Sequence, residues 1–165
     1  MGFRDIKTVE EIKKTRGAVP TTKVGVYKWW CKETLVDDIL ARLGFQKETE
    51  DMKKLLEKEG DYYCFYVGQT KGALSKRIKG QHLKRTDKST LRRSIAALFG
   101  DEKIDEILSV CALSWETIED EKEVDKVEVE QINDRLRLLN IKDVNLNKSW
   151  QKEVVSAVKD KRNHK

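Results

Sequence analysis

Residues 62–82 read YYCFYVGQTKGALSKRIKGQH, and the fold turns on how this stretch divides. Tyr62 to Val67 is rich in aromatic and β-branched side chains, which suit a pleated, half-buried strand. Gly68 breaks that pattern, and Gly72 lets the backbone turn before a helix that starts near Ala73. Ser75 to Leu83 then carries Lys76, Arg77, Lys79 and His82 with no acid among them. A phenol at a strand end, a glycine turn and an arginine on the next helix are groups that can converge on a phosphate. The rest of the chain is read by asking what would complete such a site.

Working outward, residues 23–30 (KVGVYKWW) predict a second strand, with Val24 and Val26 on one face and Tyr27 and Trp29 on the other. Between the two strands, 35–43 ending at Gly44 and 50–59 ending at Gly60 both read as helices closed by a glycine. Residues 31–61 are therefore expected to form a helical insertion between adjacent strands. Upstream, Thr8 and Glu11 fit a capping box for a short helix over 9–16. Downstream, Ser89 caps a helix over 90–99 whose apolar stripe is Leu91, Ile95, Leu98 and Phe99. Residues 108–115 predict a further strand, 120–139 a long helix, 143–147 (DVNLN) a loop, and 148–165 a basic tail with a weakly amphipathic helix.

The length of 165 residues predicts one domain, 1–165, large enough to bury a core. Three cysteines (Cys31, Cys64, Cys111), an odd count without a CxxC pair, argue against a disulfide framework or structural zinc and for a reducing, cytoplasmic setting. The sequence shows no membrane span and no apolar signal core. The net charge of +5 conceals a strong asymmetry. Residues 71–93 hold nine Lys/Arg against one acid, Asp87, whereas 101–130 hold twelve Asp/Glu against three Lys. One basic and one acidic surface suit a polyanionic partner, although solvated helix faces would also account for the charge alone.

The long helix carries the most informative single residue. Val124, Ile132, Leu136 and Leu139 follow one helix face, and position 128 belongs to that face, yet it is Glu128. A carboxylate on a buried stripe is costly unless it is paired or binds a metal. An ion pair with an arginine of the basic helix is the structural alternative.

Taken in order, GVY at 25–27, YVG at 66–68, Arg77 in SKRIKGQHL, STLRRSIAALFG, then VEVEQI around Glu128 and the DVNLN loop resemble the GIY-YIG nuclease superfamily. The resemblance covers roughly residues 23–147. It implies an α+β domain, a small three-stranded antiparallel sheet flanked by helices. It also implies hydrolysis of DNA phosphodiester bonds with one divalent metal, Mg²⁺ or Mn²⁺, leaving a 5′-phosphate. By that likeness Glu128 is the metal ligand, Tyr27 the general base or water-positioning group, Arg77 the stabiliser of charge on the scissile phosphate, and Tyr66 the group that orients phosphate or water. Family members often place His or Tyr one turn after the arginine; here that position is Gln81, and His82 next to it is taken as the catalytic candidate, reached if Gly80 lets the helix distort, with a surface histidine as the alternative. Asn145 is the choice for the asparagine that closes the site, and Asn140 its rival.

Lys71, Lys76, Lys79, Lys84, Arg85, Arg92 and Arg93 are the expected phosphate contacts on duplex DNA, giving salt-dependent affinity without base readout. The alternative reading is a DNA-binding module that keeps the fold without the chemistry. No targeting element is visible, so specificity is expected to come from the 31–61 insertion, the tail, a homodimer or a partner protein.

Overall fold

The structure is a computed structural model that describes residues 6–15, 19–20, 23–78, 89–148 and 150–163, the side chain of Ser75 excepted. A two-residue strand β1 (Lys7–Thr8) leads into α1 (Val9–Lys14), where Thr8 and Glu11 form the expected capping box. β2 (Gly25–Lys32) is followed by α2 (Glu33–Arg42), which ends at Gly44 with φ +91°. α3 (Thr49–Lys53) is short, and β3 (Lys58–Glu59) then turns through Gly60 and Asp61 into β4 (Tyr62–Thr70). α4 (Leu74–Arg77), α5 (Thr90–Phe99) and α6 (Ile104–Ser109) precede β5 (Ala112–Thr117), and α7 (Val124–Asp134) and α8 (Gln151–Asn163) complete the chain.

The protein is α+β, and its sheet is antiparallel throughout in the order β1-β5-β2-β4-β3. Five strands replace the three expected. β2, β4 and β5 form the centre, and the two added edges are two-residue strands that carry no hydrophobic alternation to read.

β2 is buried on both faces. Tyr27, Trp29 and Cys31 enter the larger core with α2, α5 and α8, while Val26 and Trp30 pack beneath Val124 and Ile132 of α7. β4 would alternate in the same way, but its register against β2 slips: Tyr66 faces Trp29 and Cys64 faces Trp30, leaving Phe65 as an extra residue. This bulge puts Phe65 and Tyr66 in the same core. Tyr66 shares the Tyr27 side because the register is unbroken from Tyr27–Gly68 to Trp29–Tyr66, and the bulge re-aims the residues from Cys64 back to Tyr62.

Several boundaries differ from the sequence reading. The second insertion helix is shorter than expected, ending at Lys53, and Gly60 (φ +60°) occupies the first position of a two-residue β-turn after β3, not a helix end. Leu108 belongs to α6, and the strand expected over 108–115 begins at Ala112.

The long helix stops at Asp134. Leu136 and Leu139 are buried for another reason, because 136–140 passes from Leu55–Leu56 to the outer edge of β4. Leu136 N–H donates to Leu55 O at 3.0 Å, and Leu139 N–H donates to Phe65 O at 3.0 Å. Asn140 then closes that edge with its side chain, accepting from Val67 N–H at 2.9 Å and donating to Val67 O at 2.8 Å. Edge-strand amides and carbonyls cannot stay unpaired when buried, and this segment supplies their partners.

The basic tail also becomes core: Val154 and Val158 of α8 are fully buried against the same cluster as Leu91 and Ile95 of α5. The three cysteines are free and buried. Among the described residues no helix is long and apolar enough to cross a membrane.

Candidate active site

A cavity of about 220 Å³ opens at the outer edge of β4, lined by Tyr66, Gly68, Arg77, Glu128, Asn140 and Asp143 among others. Four elements meet there because α7 packs along β4 and α4 follows directly from it. Tyr27 lies behind this cavity rather than in it, with no exposed surface.

Gly68 is what lets Tyr27 reach the site. The two residues are paired across β2 and β4, and a Cβ on Gly68 would collide with the Tyr27 hydroxyl and ring. The phenol therefore crosses bare backbone. Arg77 Nε donates to its hydroxyl at 3.1 Å, which holds the guanidinium at the cavity wall. Gly25 is constrained for a related reason, since a Cβ there would strike the Glu116 carbonyl of β5. The glycines of GVY and YVG thus permit close strand contact and the crossing of Tyr27.

Burial pushes the Tyr27 phenol well above its ordinary range, reinforced by Tyr66 and opposed by Arg77. The same cause raises Tyr66 to about 12. Both are neutral phenols near pH 7. Glu128 is half-buried, and its pKa rises to about 7, first through burial and then through the carboxylates of Asp143 and Asp125, with Arg77 acting in the opposite sense. A carboxylate that sits in a cavity beside two other acids is a cation-seeking group. Among the described residues no three metal-ligating side chains cluster together. One carboxylate, with water and a phosphate completing the shell, is a donor set that suits hard Mg²⁺ rather than a protein-only cage.

The structure brings Tyr27, Tyr66, Arg77 and Glu128 together. It places Asn140, not Asn145, at the site: Asn145 is exposed, its N–H donates to Asn133 Oδ1 at 2.6 Å, and its own Oδ1 accepts from Asn147 N–H at 3.0 Å. That turn occupies the Asn145 side chain locally. Asp143, which the sequence reading did not single out, lines the cavity in the left-handed region, with φ 59°. The only signal for it is its place in a loop after the glutamate helix.

The supporting cations divide. Lys76 is exposed, and Lys71 Nζ pairs with Asp125 at 2.8 Å on the surface near Glu128. Arg93 is exposed. Arg92 differs from these: its side chain is buried and its Nη2 pairs with Asp105 at 2.9 Å, a structural engagement rather than an exposed cation. Residue 92 follows Leu91 on the inner side of α5, where an arginine stem packs as an apolar chain and its head finds an acid. Arg92→Ala should therefore lower stability by about 1–3 kcal/mol while the folded protein keeps its DNA affinity. Thermal melting beside gel retardation checks this; weakened binding at unchanged stability would return Arg92 to the DNA surface. Lys79, Gln81, His82, Lys84 and Arg85 lie outside the described residues.

An antiparallel sheet whose two tyrosine–glycine strands carry the first half of a site, with an arginine on the following helix and a glutamate on a later one, defines the class of protein. Residues 25–111 match the family model for the GIY-YIG catalytic domain, and the chain belongs to that family. The matched segment contains Tyr27, Tyr66, Gly68 and Arg77 and ends before Glu128 and Asn140. Among curated proteins and among solved structures, none matches the chain.

Proposed function

We propose that this protein is a metal-dependent endonuclease that hydrolyses phosphodiester bonds of duplex DNA. One observation carries the reading: Glu128 is held in a cavity beside Asp143 and Asp125, across from an arginine anchored by Tyr27. That arrangement has a cation-binding side and a phosphate-binding side. Glu128 would hold Mg²⁺ or Mn²⁺, with Asp143 close enough to add negative charge. When bound, the ion supplies positive charge at the phosphate and at the leaving oxygen.

The chain's own residues do the rest. Arg77 presents a guanidinium fork to the non-bridging phosphate oxygens, where charge grows in the transition state. Tyr27 acts as a neutral anchor for that guanidinium. Tyr66, a neutral phenol at the cavity wall, orients the phosphate or the attacking water. Asn140 fixes the edge of β4 and so the shape of the cavity. Lys71, Lys76 and Arg93 are available for flanking phosphates, and Lys71 would leave Asp125 as DNA arrives. The site is on a reducing-compartment protein in this reading, and duplex specificity is supplied by a second copy, a partner or the residues around the cavity.

The deciding test is nicking and linearisation of supercoiled plasmid with Mg²⁺, with Mn²⁺ and with EDTA. Cutting that requires the metal supports the reading; DNA retardation without cutting under any metal would leave a binding module. Arg77→Ala should lower turnover by about 10²–10³-fold while affinity falls by much less. Loss of affinity with turnover retained would move Arg77 from the reacting phosphate to a flanking one.

A further inference from the structure

Arg162 stands where α8 should carry a third apolar residue. Val154, Val158 and position 162 are spaced by four, and the two valines are fully buried against α5. Arg162 is half-buried, and its Nη1 is shielded from solvent with no hydrogen-bond partner. Such a group costs free energy unless something outside the described residues pairs with it.

Arg93 of α5 forms no ion pair among the described residues, and the same holds for Arg162. The two guanidiniums are near enough for Arg93, after burial, to push down the pKa of Arg162. Both also act on the Tyr66 phenol, as Arg77 does. Thr90, one turn before Arg93, lines the Glu128 cavity, so this side of α5 borders the site. Two like charges with no acid paired to them among the described residues, one of them with a shielded Nη1, form a pre-arranged anion receptor.

We propose that Arg93 and Arg162 form a second phosphate subsite beside the cavity, holding a phosphodiester that flanks the scissile one. It rests on the nuclease reading for its ligand, DNA, and it makes α8 part of the DNA surface. Arg162 lies beyond the segment matched by the family model, so nothing in the match assigns it. The two groups differ in duty. Arg93 is exposed and tracks the backbone, whereas Arg162, half-buried with its Nη1 shielded, sets the register of the strand relative to Glu128.

The test measures DNA affinity in EDTA across a salt series for wild type, Arg93→Met, Arg162→Met and Arg162→Lys, with thermal melting in inorganic phosphate alongside. Each Met variant should weaken binding about tenfold and reduce the slope of log affinity against log salt by about one. Arg162→Lys should keep the slope. Phosphate should raise the melting midpoint of wild type more than that of Arg162→Met. Wild-type affinity and slope in both Met variants would overturn the subsite. Arg93→Met, an exposed change, keeps the test valid if Arg162→Met folds poorly. If the wild type neither cuts nor retards DNA, the nuclease reading falls; the phosphate shift then judges the arginine pair, and an equal shift in Arg162→Met overturns it.

Discussion

Glu128→Gln should abolish cleavage, by about 10³-fold or more, and yet make the metal-free protein more stable at pH 8. The first effect follows from removing the carboxylate assigned to the metal. The second follows from the sign of its pKa change. Folding raises Glu128 from 4.5 to about 7, through burial first and the neighbouring acids second. The folded protein therefore binds this proton more tightly than the unfolded chain does. The charge costs nothing below about pH 4.5, costs progressively more up to about pH 7, and its full penalty remains above that. A neutral glutamine avoids it, so the variant should gain about 1–2 kcal/mol at pH 8, after allowance for solvent screening, and almost nothing at pH 4.5. Mg²⁺ should raise the midpoint of wild type and leave that of the variant unchanged. Melting curves at the two pH values, with and without Mg²⁺, check each part. Destabilisation at both pH values with the Mg²⁺ shift retained would make Glu128 a structural residue and remove the metal from the site.

Arg137→Met should cost about 3–5 kcal/mol, a large share of the 5–15 kcal/mol that holds a typical domain together. Arg137 is fully buried. Its Nη2 donates to Gln131 O at 2.6 Å, and its Nη1 pairs with Glu57 Oε1 at 2.9 Å. Gln151 holds the Arg137 backbone from both sides, accepting from its N–H at 3.1 Å and donating to its carbonyl at 3.1 Å. Glu57 also accepts from Lys28 Nζ at 2.9 Å; burial works against the Glu57 carboxylate, but the two cations hold it below its ordinary range.

Methionine keeps much of the volume and removes every one of the guanidinium bonds, leaving the Gln131 carbonyl without its donors. The midpoint should fall by roughly 10 °C. The triple change Lys28→Met, Glu57→Leu, Arg137→Met should recover much of the loss, since replacing a whole buried ion network is far less harmful than breaking it. A single-variant loss under about 1 kcal/mol would show that packing alone holds this segment. The consequence reaches the site, because Arg137 anchors the extended run that ends at Asn140, and Asn140 shapes the cavity.

Much of this was present in the residues themselves. The aromatic runs of β2 and β4, the capping box at Thr8, the Ser89-to-Gly100 helix and the carboxylate between Val124 and Ile132 are local patterns, and local sterics and periodicity are enough to write them. Glu128 stands out by itself as a carboxylate on an apolar stripe, whereas Tyr27, Tyr66 and Arg77 are named through the likeness of GVY, YVG and the basic helix to the GIY-YIG superfamily.

The tertiary structure decided what depends on partners distant in the chain. Leu136 and Leu139 fit a helix by spacing, but the Leu55 carbonyl and the open edge of β4 at Phe65 drew them out of the helix by offering backbone hydrogen bonds. Asn140 displaced Asn145 for the same reason, since only the fold shows which loop asparagine meets Val67. Arg92 looked like one more cation until Asp105 was found beside it. The bulge at Phe65 carries no residue signature, yet it decides which face Tyr62, Tyr63 and Cys64 present while Tyr66 stays in register with Tyr27. Side-chain chemistry is written locally in the chain, whereas burial, register and charge pairing exist only once distant segments are in contact.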